Sequence, residues 1–291
     1  MTERFAIILA AGKGTRMKSP RAKVLHEVGG RSMLDWSIAL ARSAGCKRLV
    51  VVTGPDAADV QAAAARQVGA DNVVVQREQL GTAHAVNAAR GALAGLTGQA
   101  VVLYADTPLV PPDAVERAFD ELARGASVSV LGFEAAEPGR YGRLQTSPTG
   151  ELEAIVEAND ASPEQLDIRL CNSGVMAAPV DLMFDLLSEV RNANAKGEYY
   201  LTDLVALARG RGLRAAVALC EEADVLGVNS QGELAAAEAV FQTRMRARMM
   251  AEGVTLTAPE TVFFSHDTRL APGVVVQPNV WFGAGVSVAE G

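Results

Sequence analysis

The 291-residue chain predicts an α/β protein in three parts. A doubly wound, mainly parallel sheet covers residues 1–229, a connector helix covers 230–252, and the opening of a parallel β-helix covers 253–291. Three observations lead to this reading. Short apolar runs alternate with helix-length, Ala-rich segments through the first hundred residues; a stretch of mixed charged and apolar residues then runs unbroken from Ser230 to Glu252; and beyond it apolar residues recur every six positions.

Residues 5–10 (FAIILA), 49–53 (LVVVT), 72–76 (NVVVQ) and 100–104 (AVVLY) are rich in Val, Ile and Leu without polar alternation. Strands covered on both faces read this way. Residues 33–44 read as a helix closed by Gly45, and 56–68 as one closed by Gly69, since glycine takes the left-handed turn that ends a helix. Residues 82–94 read as a third helix, weakened by Gly91. This alternation gives a parallel sheet with ligands at the carboxyl ends of its strands. Strands are expected at 127–133 and 152–157 around a loop at 137–143, and near 172–177 and 215–219. Helices are expected near 181–189 and 199–208. Ser230 is placed to cap the connector helix and Gly253 to stop it.

In the last part Leu270, Val276, Phe282 and Val288 share one phase, and Val274, Val280 and Val286 a second. Gly273, Asn279, Gly285 and Gly291 share a third, where turns belong. One apolar anchor per six residues is the signature of a β-helix coil. Gly291 falls in mid-repeat and a solenoid needs about three repeats and a cap, so the segment is read as a stub.

Hydrophobic residues at 49% and charged residues at 21% describe a globular chain and exclude a disordered one. A net charge of −7 argues against nucleic acid or an anionic membrane as partner, but not against nucleotides, which a few local cations can hold. Cys46, Cys171 and Cys220 form no pair or zinc spacing and fit buried residues in a reducing, cytoplasmic setting. The apolar run at 5–11 is too short to span a bilayer, and no leader peptide is evident. His26, His84 and His266 form no cluster and are assigned structural or surface roles.

The segment Leu9-Ala10-Ala11-Gly12-Lys13-Gly14-Thr15-Arg16-Met17 follows the first buried strand directly. Its glycines let backbone N–H groups approach a phosphate or base closely. No Gly-Lys-Ser/Thr closes it, and Met17 stands where a dinucleotide fingerprint needs a third glycine. Arg16 can fork onto phosphate oxygens, and Lys23 can set a point charge on another. Asp106 follows a strand at the sheet's carboxyl edge, where it is either a metal ligand or a turn residue before Thr107-Pro108. Gln76 follows another strand as an amide able to read a base edge. Taken alone, Glu157 is equally a solvated strand-end residue, and Asn229 a helix-flanking cap.

LAAGKGTRM followed by KVLHEVGGRSMLDW resembles the sugar-nucleotide pyrophosphorylases, a Rossmann-like nucleotidyltransferase family. Gln76, EQLGT at 78–82, YADTPL at 104–109, YGR at 141–143, IVE at 155–157, NSG at 172–174, GEYYLTD at 197–203 and GVN at 227–229 occur in order. Together they resemble the bacterial bifunctional N-acetylglucosamine-1-phosphate uridylyltransferase/glucosamine-1-phosphate acetyltransferases over essentially the whole chain. The resemblance implies UTP and N-acetylglucosamine 1-phosphate as substrates, with UDP-N-acetylglucosamine and pyrophosphate as products. It implies that Leu9, Ala10, Ala11, Gly12, Gln76, Gly81 and Thr82 surround uracil and ribose, that Arg16 and Lys23 hold the triphosphate, and that Gly142, Glu157 and Asn172 hold the sugar. It further implies Mg²⁺ on Asp106 and Asn229, with Tyr104 and Ala105 beside them.

Two residues depart from the family pattern. Ala22 stands where proline is usual before Lys23, loosening the approach but keeping the charge, and Ala105 stands where glycine is usual before Asp106, adding a methyl that could crowd sugar or metal. The resemblance also implies a left-handed β-helix that in full length forms a homotrimer and transfers acetyl groups. With the coil cut short, neither a stable trimer nor acetyl transfer is expected. A relative using another sugar or nucleotide, or a non-catalytic subunit of similar fold, is the alternative; the presence of Arg16, Lys23 and Asp106 opposes the latter.

Overall fold

The computed structural model describes residues 2–290, so Gly291, the last residue of the third phase, lies outside the described residues. In chain order the elements are β1 (Arg4–Ala10), β2 (Glu27–Val28), β3 (Arg31–Ser32), α1 (Met33–Ser43), β4 (Arg48–Thr53), α2 (Ala58–Val68), β5 (Val73–Val75), α3 (Thr82–Ala88), β6 (Gln99–Tyr104) and α4 (Pro112–Ala123). There follow β7 (Val128–Glu134), β8 (Arg143–Thr146), β9 (Leu152–Val156), α5 (Pro163–Leu166), β10 (Leu170–Pro179), α6 (Val180–Leu187), α7 (Asp203–Gly210), β11 (Ala215–Leu219) and α8 (Gln231–Ala251). Four two-residue strands complete the chain: β12 (Thr255–Leu256), β13 (Arg269–Leu270), β14 (Val275–Val276) and β15 (Ser287–Val288).

The main sheet runs β11-β7-β10-β6-β1-β4-β5, with β8 and β9 attached beside β10. Parallel pairing holds across β6-β1-β4-β5 and between β11 and β7; β10 is antiparallel to both of its neighbours in that order. The runs that form β1, β4 and β6 are buried on both faces, under two separate apolar layers, whereas β5, expected to be covered in the same way, is the sheet's edge strand and leaves Val73 and Val74 half-buried and Val75 exposed. Register sets Leu9 opposite both Val52 and Tyr104, and Ala10 opposite Thr53. The strands therefore end together, and the segments that leave them share one carboxyl edge. The chain lays β4 and β5 to one side of β1 and then crosses to β6 on the other, which opens a crevice above β1.

Several elements differ from the sequence reading. The helix expected over 82–94 stops at Ala88, and a single tight turn, Gly91–Leu93, takes its place beyond Arg90. Tyr199 is not helical: its N–H donates to Leu80 O and its carbonyl accepts from Ala83 N, so α7 begins only at Asp203. The structure adds β8, a strand that pairs with β9, and α4. Helix α4 has Pro112 at its first turn and buries Ala114, Val115, Ala118, Phe119 and Leu122 on one face.

Helix α8 starts where its cap requires. Ser230 Oγ accepts from Glu233 N at 3.3 Å, and the Glu233 carboxylate accepts from Asn229 N at 2.7 Å. The helix packs on the β2–β3 hairpin, where Gly29 is obligatory: a Cβ there would lie 2.3 Å from the Phe241 ring. Beyond α8, β12 pairs in parallel with β14 and β13 with β15. Asn279 N donates to Thr261 Oγ1 and Gly285 N to Asp267 Oδ2, each across 18 residues. Phe263 stacks on Trp281 and Phe264 on Phe282, with ring centroids 5.5 and 5.3 Å apart. Leu270, Val276 and Phe282 are buried, and Gly273, Asn279 and Gly285 have φ of 81°, 62° and 76°.

Candidate active site

The loop after β1 is shaped around one side chain. Gly14 has φ 61°, and a Cβ on it would fall 2.5 Å from Lys23 Cβ. The absence of a side chain at 14 lets Lys23 pass beneath the loop toward the crevice. There its ammonium donates to Asp106 Oδ2 at 2.5 Å and to Asn229 Oδ1 at 3.0 Å, and the side chain is only 9% exposed. Asp106 is delivered by the end of β6; its carbonyl accepts from Val228 N at 2.8 Å, which draws Asn229 in from the far end of the sheet domain. A buried ammonium needs such partners, since an isolated one would be costly.

A cavity of about 430 Å³ opens directly on this cluster. Its wall includes Leu9, Ala10, Ala11 and Gly12 from the end of β1 and the loop after it, together with Lys23, Gln76, Gly81, Thr82, Tyr104 and Asp106. Gly81 has φ 115°, and a Cβ there would strike Tyr199 O at 2.5 Å. The close backbone contact of 80–83 with Tyr199 thus shapes the cavity wall and brings Glu198 into it. Leu201 N adds a bond to Thr82 Oγ1 at 3.0 Å. Gln76 is buried at the end of β5, with Nε2 bonded to Gly81 O at 3.1 Å.

Gly142, Glu157 and Asn172 come together beside the Tyr104 ring. Asn172 N donates to Gly142 O at 2.8 Å, and a Cβ on Gly142 would lie 3.6 Å from both Asn172 Cβ and Glu157 Oε1. Gly174, with φ 92°, leaves room for the Tyr104 ring, 2.8 Å from where its Cβ would be. Burial pushes the Glu157 carboxyl above its ordinary range, and the Thr202 hydroxyl donates to it at 3.3 Å, partly offsetting that effect. Burial, reinforced by the Asp106 and Glu157 charges, pushes the Tyr104 phenol well above its usual range and keeps it neutral.

A nucleotide-sized crevice at the carboxyl edge of a parallel sheet, entered by a glycine loop and floored by a lysine–carboxylate pair, is the setting in which the comparisons fall. The MobA-like NTP transferase domain matches residues 6–197. The chain belongs to the family of MobA-like NTP transferase domains. It is 54% identical over 289 residues to the bifunctional protein GlmU of Hyphomonas neptunium, covering 99% of this chain and 63% of that one. It is 58% identical over 268 residues to that of Maricaulis maris (92% and 59% covered) and 51% over 288 residues to that of Caulobacter vibrioides (99% and 62%). The chain therefore spans about three fifths of the length of these relatives, and the resemblance read from its motifs is borne out. Among solved structures, UDP-glucose pyrophosphorylase complexed with UDP-glucose superposes with TM-score 0.64 at 19% identity, covering 84% of this chain and all of that one. Inositol-1-phosphate CTP transferase from T. maritima gives 0.64 at 18%, covering 82% and 95%. These last two establish a shared nucleotidyltransferase fold.

Within this NTP transferase domain most sequence-selected residues meet. Leu9–Gly12, Lys23, Gln76, Gly81, Thr82, Tyr104 and Asp106 line one cavity, Asn229 joins it through Lys23, and Gly142, Glu157 and Asn172 adjoin it at Tyr104. Two residues fall elsewhere. Arg16 lies on the turn after Gly14, exposed and without a hydrogen-bond partner among the described residues. Ala105 is fully buried in the apolar layer with Ala6, Leu103 and Val110, and it does not line the cavity. Ala22 has a φ of −57°, the value a proline would impose, so the backbone before Lys23 takes the proline-like course without the ring. Sequence reading missed Lys13, Gln79, which bonds Ala11 O, and Glu198 in the wall; all three sit inside motifs already noted, and that adjacency was the available signal.

Two hard oxygen donors, on Asp106 and Asn229, converge on one cationic group, so the position is built for positive charge. No cluster of three or more His, Cys, Asp or Glu side chains suited to a metal occurs among the described residues. A divalent ion held here would complete its shell from phosphate oxygens and water, the habit of small hard cations, and the donor set fits one. Among the described residues no helix is long and apolar enough to cross a membrane.

Proposed function

We propose that this chain transfers a uridylyl group from UTP to N-acetylglucosamine 1-phosphate, releasing pyrophosphate and UDP-N-acetylglucosamine. The observation that carries the reading is the Lys23 ammonium held between Asp106 and Asn229 on the floor of the glycine-loop cavity. The sugar phosphate is already an anion, so no general base is required; its oxygen attacks the α-phosphorus in line and pyrophosphate leaves opposite. Catalysis then rests on positioning and charge neutralisation. Lys23 supplies fixed charge at the α-phosphate, the N–H groups of the glycine loop meet phosphate oxygens, and Arg16 reaches the outer phosphates from its exposed turn. Gln76, Gly81 and Thr82 receive the base and ribose. Asn172 Oδ1 is spent on Gly174 N at 2.9 Å, which leaves its amide N–H groups to donate to the acetylated sugar, while Glu157 accepts from a sugar hydroxyl. Asp106 and Asn229 would hold Mg²⁺, which when bound supplies further charge to the phosphates.

The division into a catalytic unit over 1–229, a connector helix over 230–252 and the first coils of a left-handed β-helix over 253–291 belongs to the same proposal. Its support is the 18-residue spacing of the rungs and the left-handed backbone of Gly273, Asn279 and Gly285 at six-residue intervals. Pyrophosphate release with UTP, CTP and dTTP, each offered with acetylated and non-acetylated sugar phosphates, tests the function. Turnover should be confined to the uridine and acetylated pair; equal or better use of another pair would replace this assignment. Asp106→Ala should abolish metal-dependent turnover in a folded protein, and near-normal Mg²⁺-dependent rates would remove Asp106 from the site.

A further inference from the structure

The Gln76 amide is held at two points. Nε2 lies 3.1 Å from Gly81 O and 3.1 Å from His84 Nδ1. A backbone carbonyl can only accept, so the Gly81 contact fixes which end of the amide is nitrogen, and His84 Nδ1 must then be the acceptor for its second N–H. His84 is accordingly the tautomer protonated at Nε2. The Gly81 carbonyl is held by a second hydrogen bond from Ala85 N at 3.1 Å, and His84 is carried on the first turn of α3. Both amide hydrogens are spent inside the protein. The remaining atom, Oε1, has no protein partner among the described residues, is not sealed from solvent, and belongs to a residue that lines the cavity.

We infer that His84 is a specificity-determining positioning residue: through the Gln76 amide it makes the base pocket accept a hydrogen bond, which suits a pyrimidine that carries a ring N–H. Uracil has that N–H at N3, whereas cytosine has an acceptor at N3, which would face Oε1 lone pair to lone pair. His84 touches neither substrate nor phosphate and acts by accepting the second amide N–H, which holds in place an amide whose orientation the Gly81 carbonyl sets. The inference rests on the uridylyl-transfer reading for its substrate, but the tautomer and amide geometry stand without it.

Two measurements test it. In the first, kcat and KM are compared for UTP and CTP in the wild type, His84→Phe and His84→Asn. Phenylalanine keeps the flat ring and removes the acceptor; asparagine keeps an acceptor near the Nδ1 position. His84→Phe should raise KM for UTP more than it lowers kcat and reduce the UTP-over-CTP preference in kcat/KM by about fivefold to tenfold, the worth of one hydrogen bond. His84→Asn should restore most of that preference. A His84→Phe protein that loses activity on both nucleotides in equal proportion, or keeps its preference within twofold, overturns the inference. The second measurement is the ¹⁵N spectrum of the His84 ring in the protein alone. A proton on Nε2 with Nδ1 bare is expected, and a neutral ring protonated at Nδ1 overturns the inference. A wild type inactive with UTP would refute the proposed function, and the ring spectrum would still decide the role of His84.

Discussion

Lys23 and Asp106, 83 residues apart in sequence, meet at 2.5 Å on the cavity floor, and Asn229 closes the group from the other side of the sheet domain. The ammonium has two jobs. It neutralises the carboxylate, and in the proposed reaction it meets the incoming phosphate charge. Removing it exposes both. Lys23→Met should lower kcat/KM with UTP by about a hundredfold or more, the usual loss when a preorganised charge is removed. Steady-state kinetics checks this, and circular dichroism should show the fold retained.

The contact between Gly14 and Lys23 separates backbone shape from charge. Gly14→Ala keeps every ionisable group but places a methyl 2.5 Å from Lys23 Cβ on a residue with φ 61°. Left-handed backbone costs a non-glycine residue about 1–2 kcal/mol, and the lysine must move as well. Thermal unfolding should fall by a few degrees, while kcat/KM falls about tenfold or more because Lys23 no longer reaches Asp106.

Ala22 makes a contrary prediction. Its φ is −57° and its N–H donates no hydrogen bond among the described residues, so proline fits without strain. Ala22→Pro should stabilise the protein by about 0.4–1 kcal/mol by restricting the unfolded chain, seen as a small rise in Tm. A fall in Tm would show that Arg21 cannot accept a proline after it.

Glu157 gives a pH signature. Burial raises its carboxyl in the folded state, so its contribution to stability is fully present below the unfolded value and is lost as pH rises through the folded one. Glu157→Gln, which carries no charge to bury, should therefore unfold at a higher temperature than the wild type at neutral pH. The advantage should shrink as pH falls toward the ordinary carboxyl range. The same variant should raise KM for the sugar phosphate more than KM for UTP. Melting curves across pH 4 to 8 and substrate-dependence curves check the two halves.

The parts legible in the sequence share a physical basis. Double-sided burial leaves uninterrupted Val and Ile runs, so β1, β4 and β6 could be read, and with them the edge that carries Gly12, Gln76 and Asp106. Left-handed turns favour glycine or asparagine, so Gly273, Asn279 and Gly285 marked the last segment. The illegible parts depend on contacts distant in sequence. Tyr199 lies in a run that resembles the start of a helix, and only its pairing with Leu80 and Ala83 keeps it extended. Ala105 looked like a threat to the site because its position in the sequence is beside Asp106; its methyl points into the core, a direction no local pattern encodes. His84 appeared alone because its partner, Gln76, becomes a neighbour only when β5 turns into α3.

The hydrogen bond from Val228 N to Asp106 O also sets an order of events during synthesis. A ribosome delivers β1, Lys23 and Asp106 long before the chain returns from β11 with Asn229. Until Val228 and Asn229 have emerged, followed by Ser230 and Glu233 to cap α8, the lysine lacks its second oxygen partner. A nascent chain can thus complete the central strands and still lack a finished cation floor, so competence to bind nucleotide should switch on late, when the first turn of α8 clears the exit tunnel.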